Sequence, residues 1–217
     1  MEGKTIMQTY PVVIRLSSAS KMPCHSFSLP AEKCITGSML RLVAGSVCSK
    51  CYARKNFYRM PTVRAPRDWN LAVWEQCSKS AEGIAEWVDA MVHSIGKNEK
   101  SGFFRWFDSG DIQSLSMLRA IVSIADRLPK IKFWLPTHEG KILAKYLKNG
   151  ILPENLIVRK SADMLGSIER PIGQALTCSV GADAADGQCI AYRQGGKCLA
   201  CRACWNPKNK NINYPLH

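Results

Sequence analysis

Between residues 103 and 159 the chain alternates short apolar strands with amphipathic helices, and few folds accept that pattern. Residues 103–107 (FFRWF) predict a strand. A helix follows over about 114–127, with Leu115, Leu118, Ile121, Val122 and Ala125 on one face and Pro129 ending it. Residues 131–135 (IKFWL) predict the next strand, 139–149 a helix stopped by Gly150, and 155–159 (NLIVR) a further strand. Alternation at this spacing requires parallel strands joined by right-handed crossovers. Eight such units need about 250 residues, and this chain has 217. The expected fold is therefore α/β, a reduced or incomplete TIM-barrel-like parallel β/α fold or an open sheet, built as one domain over 1–217.

Around that β/α core (68–175) lie two segments without periodicity. In the first, 10–67, residues 10–16 (YPVVIRL) predict a strand, and 17–67 carry Pro, Gly, Ser and four cysteines. That is long for an unsupported loop, and a bound metal is the simplest support. Residues 68–95 predict a helix with Asp68 as N-cap and a break near 78–80. The second aperiodic segment, 176–217, reads as a metal-held lobe packed on the same core.

There is no run of about 18 apolar residues, and MEGKTIMQTY lacks the apolar core of a signal peptide. A cytoplasmic protein with no membrane partner is expected, and there ten cysteines are better read as metal ligands than as disulfides. Cys198-x2-Cys201-x2-Cys204 forms a tight ligand run that His217 can close as a tetrahedron, which suits zinc. Cys178 or Cys189 could replace His217. The run also matches part of an iron–sulfur pattern, although Lys208 stands where a further cysteine would fall. Cys24, Cys34, Cys48 and Cys51 form a possible second site, without the C-x3-C-x2-C of radical enzymes that use S-adenosylmethionine. Cys77 belongs to a helical apolar face.

The net charge of +13 points to a polyanionic partner. Lys50, Arg54, Lys55, Arg59, Arg64 and Arg67 are interleaved with Tyr52, Phe57 and Tyr58. Cations neutralise phosphates and aromatic faces stack on unpaired bases, so this stretch predicts a nucleic-acid-binding strip. Among the acids, Asp108 follows the first core strand, where α/β enzymes place their chemistry. Asp111 is the better candidate for a helix cap. Asp163, after strand 155–159, and His138 and Glu139, after strand 131–135, could enter the same mouth.

Residues 108–116 (DSGDIQSLS) resemble the DSGGFQ-type signature of queuine and archaeosine tRNA-guanine transglycosylases. The C-terminal cysteine run with NYPLH resembles their zinc element. GSVCSKCYARKNFYR, FRWFDSGDIQS and IKFWLPTHE are more similar to the phage branch of deazaguanine-in-DNA transglycosylases. The resemblance implies exchange of guanine in phage DNA for a 7-deazaguanine base through an aspartyl covalent intermediate, with structural zinc. By position, Asp108 would be the signature acid and Asp163 the nominee for nucleophile. Ser109, Gly110, Asp111, Gln113 and His138 would contact the base. Two alternatives stand beside it: an iron–sulfur enzyme acting on nucleic acid, and a non-catalytic zinc-dependent DNA-binding protein. The oligomeric state is not legible in the sequence.

Overall fold

The computed structural model describes residues 12–182 and 187–216. Six strands form one sheet in chain order: β1 (Ser26–Phe27), β2 (Phe103–Trp106), β3 (Lys132–Thr137), β4 (Leu156–Ser161), β5 (Leu176–Val180) and β6 (Asn211–Tyr214). Each is parallel to the next. The parallel β/α reading holds. Helix α1 (Ile35–Leu40) and several 3-10 turns follow β1, then α2 (Pro61–Cys77) and α3 (Ala81–Asn98) lead to β2. Helix α4 (Leu115–Arg127) connects β2 to β3, and α5 (Gly140–Leu147) connects β3 to β4. No helix among the described residues is long and apolar enough to cross a membrane.

The period-2 alternation of the strands sends side chains to two covered faces. Phe104, Trp106, Phe133 and Leu135 join the main core with Phe27, Trp74 and Trp87 from β1, α2 and α3. Edge-on ring contacts tie this core together, with Trp74–Trp87 centroids 4.9 Å apart and Phe27–Trp87 5.7 Å. On the opposite face Phe103 and Trp134 pack with Cys24, Trp205, Cys204 and Tyr214. The Trp205 indole N–H donates to Phe104 O at 2.9 Å, which docks the C-terminal segment on the sheet.

Three expectations need correction. Residues 12–16 form no strand; residues 10 and 11 lie outside the described residues. Their backbone is bound by helix side chains instead: Arg15 N–H donates to Asn70 Oδ1, Asn70 Nδ2 donates to Arg15 O, and Trp69 Nε1 donates to Val13 O. Helix α2 begins at Pro61, not at 68, and Asp68 is internal, 3.2 Å from Arg64 Nε one turn earlier. Proline is welcome at a first helical position, while Pro66 reads as a breaker and hides that turn. The tail is not aperiodic, since it supplies β5 and β6. These strands escaped notice because their buried neighbours are polar: Thr177 and Ser179 bond with Asn211 and Asn213 across the pair, at 2.9 to 3.1 Å. The apolar alternation is short, Leu176, Cys178 and Val180 in β5 and Ile212 and Tyr214 in β6, and the buried polar positions between read as loop residues.

Candidate functional site

The carboxyl ends of β2, β3 and β4 lie beneath the long segment that follows β1. That segment is tied down at several points. Glu139, buried after β3, accepts from the Thr36 N–H at 2.8 Å and from Thr36 Oγ1 at 2.7 Å. Val47 N–H donates to Asp163 O, Leu165 N–H to Gly45 O, and Tyr52 OH to Asp108 O at 2.8 Å.

Asp108 follows β2 as expected but is not a free acid. Ser28 Oγ donates to its Oδ1, while Tyr58 OH and Arg67 Nη2 each lie 3.4 Å from Oδ2. Both members of the Arg67–Asp108 pair are buried. Phe107, just before it, holds a left-handed φ of 51°, a strained conformation for a bulky residue that clusters at functional sites.

Asp111 is not the helix cap; Ser114 is, accepting from Met117 N–H at 3.1 Å. Asp111 instead joins two strand ends. It accepts from Ile112 N–H, Thr137 Oγ1 and His138 N–H at 2.6 to 2.8 Å. Burial pushes its carboxyl up to about 6, against the opposing pull of His138 and Thr137. Gln113 is spent locally on Asp111 O, and Gly110 packs on Leu29, so neither is presented to a ligand.

Asp163 lies 3.1 Å from His138 Nδ1 and 2.7 Å from Lys160 Nζ. Burial alone would lower the His138 imidazole, but its hydrogen bonds to Asp163 and to Cys48 raise it to about 9. The His138 bond, opposed by burial and helped by Lys160, holds Asp163 at about 2. Ser28, Lys160 and Thr36 were missed at the sequence level, being ordinary residues recruited by folding, while Tyr52 and Tyr58, expected as stacking faces, turn their hydroxyls to Asp108.

Five of the six basic-strip residues line one cavity of about 400 Å³: Arg54, Lys55, Arg59, Arg64 and Arg67, joined by Arg41. Lys50 is exposed and does not line it. Among the described residues the only carboxylate in its wall is Glu32. Ser109 also lines it, is 4% exposed, and has no hydrogen-bond partner for its Oγ among the described residues. Cys48 and Cys51 open onto the same cavity.

Cys34, Cys48 and Cys51 gather here. A Cβ built on Gly37 would lie 3.5 Å from Cys48 Sγ and 3.7 Å from Cys34 Sγ. Cys34 also senses the charges of both Cys48 and Cys51, and burial pushes its thiol up. Cys24 does not join them; it is packed with Trp134 and Trp205. Cys24 precedes β1 and Cys34 follows it, so the strand sends them to different places. In the C-terminal lobe Cys189, Cys198, Cys201 and Cys204 line one small cavity. Cys178 lies on β5 with its sulfur 3.4 Å from Ser161 Oγ, and His217 lies outside the described residues. Among the described residues no three His, Cys, Asp or Glu side chains stand in place to hold a single metal ion.

No curated protein and no solved structure matches the chain. The Gene product 88 family matches residues 7–207, and the chain belongs to that family.

Proposed function

We propose that the protein is an iron–sulfur enzyme acting on nucleic acid. One observation carries this reading: Cys48 and Cys51 line a cavity walled by six cations, and Cys34 stands beside them. Six parallel strands stand in chain order, the order that eight strands take in a barrel, and we read the sheet as an incomplete barrel. In such folds chemistry belongs at the carboxyl end of the strands.

The donor set suits a cluster. Soft thiolates are its ordinary ligands. Cys34, Cys48 and Cys51 would hold it, and it would supply one-electron chemistry beside the cavity. The chain's own residues do the rest. Arg41, Arg54, Lys55 and Arg59 offer charge to phosphate oxygens, and the unpartnered Ser109 hydroxyl offers a hydrogen bond. Glu139 anchors the cysteine-bearing segment through Thr36. Asp163 orients His138 beside Cys48.

The test is anaerobic reconstitution of the purified chain with iron and sulfide, followed by binding of single-stranded DNA and RNA across a salt series. The expected protein is brown, loses part of its iron and colour on Cys34→Ala, and loses about two from its salt slope in Arg54→Ala/Arg59→Ala. A colourless protein with zinc at these thiols would overturn the reading.

Base exchange is the second reading, favoured by the placement of Asp108 and Asp163 after β2 and β4. A carboxylate there can trap oxocarbenium character at a sugar C1′. Labelled guanine in DNA or tRNA should then be released on addition of 7-cyano-7-deazaguanine, and Asp108→Asn should abolish release. No release from either polymer sinks this reading.

A further inference from the structure

Of the seven cysteines outside that site, four lie in the segment between β5 and β6. Cys189, Cys198, Cys201 and Cys204 surround one cavity of about 20 Å³, completed by Ile190, Ala203, Trp205 and Ile212. The loop is wound tightly to bring them there. Leu199 takes a left-handed φ of 45°, Gly195 and Gly196 precede it at 63° and 77°, and Cys201 N–H donates to Cys198 O at 2.8 Å. Left-handed leucine persists only where its surroundings over-determine it.

The charges around these thiols are one-sided. Arg159 on β4 is fully buried, and its donors reach only main-chain carbonyls: Cys204 O at 3.0 Å, Asn206 O at 3.0 Å, Asn209 O at 2.9 Å and Thr177 O at 3.2 Å. Arg105 lies over the Trp134 ring at 4.7 Å, and Arg202 over Phe103 at 5.0 Å. None of the three has a carboxylate within ion-pair distance among the described residues. Buried charges require compensation. With neutral thiols Arg159 has carbonyl acceptors but no counter-ion, whereas metal-bound thiolates carry the matching negative charge. Tyr214 OH lies 3.3 Å from Cys204 Sγ, placed to donate to such a sulfur.

We propose that Cys189, Cys198, Cys201 and Cys204 hold an iron–sulfur cluster as four thiolates, with Arg159 as its buried countercharge. Cys198-x2-Cys201-x2-Cys204 has the spacing of an iron–sulfur ligand run, and Cys189 lines the same cavity as the fourth thiol. Four protein ligands leave no iron open to substrate. This centre is separate from the one proposed at Cys34, Cys48 and Cys51, and stands whether or not that one exists.

The experiment uses the full chain, reconstituted anaerobically with iron and sulfide, in four forms: wild type, Cys34→Ala/Cys48→Ala/Cys51→Ala, Cys189→Ser/Cys198→Ser and His217→Ala. Iron, acid-labile sulfide and zinc are measured, with spin-resonance spectra after reduction. The first variant should retain about half of the wild-type iron, together with a reduced-cluster spectrum. His217→Ala should retain all of it. The Cys189→Ser/Cys198→Ser form should lose the lobe's share. A folded first variant that is colourless, or holds only zinc, overturns the proposal, as does full iron in a folded Cys189→Ser/Cys198→Ser form. Equal iron in the wild type and the first variant would instead refute the centre at Cys34, Cys48 and Cys51 and leave this one standing.

Discussion

Replacing Arg67 by Met should destabilise the protein by about 3 kcal/mol. Arg67 Nη2 and Asp108 Oδ2 lie 3.4 Å apart, with both side chains less than a tenth exposed. At an effective dielectric of about 20, unit charges at that separation attract by roughly 5 kcal/mol. Breaking a buried pair by removing one partner typically costs about 3–5 kcal/mol, because the other charge stays behind. Asp108 would keep its bonds from Ser28 and Tyr58, which places the loss at the lower end. The variant also forfeits the Arg67 bond to Val63 O at 2.6 Å and the stacking of its guanidinium on Tyr58 at 4.6 Å. Urea denaturation followed by tryptophan fluorescence reads the loss directly, and the melting temperature should fall by about 6–12 °C. Adding Asp108→Asn removes the stranded charge, so the double variant should be more stable than additivity predicts by about 2 kcal/mol. The loss should hardly change with salt. A loss below about 1 kcal/mol, or strict additivity, would mean that the pair is solvated and that the buried clamp on Asp108 has been misread.

Three further outcomes follow from other contacts. Gly110→Ala should cost about 3 kcal/mol in the same assay, because φ is 80° and the new Cβ would lie 2.6 Å from Leu29 Cβ. Ser114→Ala removes the cap of α4 and should cost about 1 kcal/mol. Asp163 is held at about 2, below the roughly 3.9 of an unfolded aspartate. Its contribution is therefore complete above about pH 4 and disappears as pH falls through about 2. The side chain is 36% exposed, so solvent screening limits that contribution to about 1 kcal/mol. Denaturation of wild type and Asp163→Asn at pH 6 and pH 2 should show the gap closing.

Much of the β/α core was readable because apolar periodicity is a local property. β2, α4, β3, α5 and β4 fall within a few residues of their expected bounds. In the elements that escaped, that local signal is masked or short. α2 carries Pro66 within its early turns, and β5 and β6 alternate over only five and four residues, with buried polar positions between. Strand β1 spans only two residues, too few for any alternation to show.

The candidate site divides in the same way. Spacing alone nominated Cys48 with Cys51, and Cys198 with Cys201 and Cys204, because ligands that close in sequence are close in space. Composition alone nominated the basic strip. Only the tertiary structure sent Cys24 and Cys34 to different sets, by running β1 between them, and brought Cys189 to the C-terminal thiols. Only folding showed that Asp108 is clamped by Arg67, that Asp111 joins two strand ends, and that Arg159 is a buried cation beside thiols. Periodicity and spacing are set by neighbours along the chain. Charge compensation, burial and the partner of each polar group depend on residues tens of positions away, which come together only when the sheet assembles.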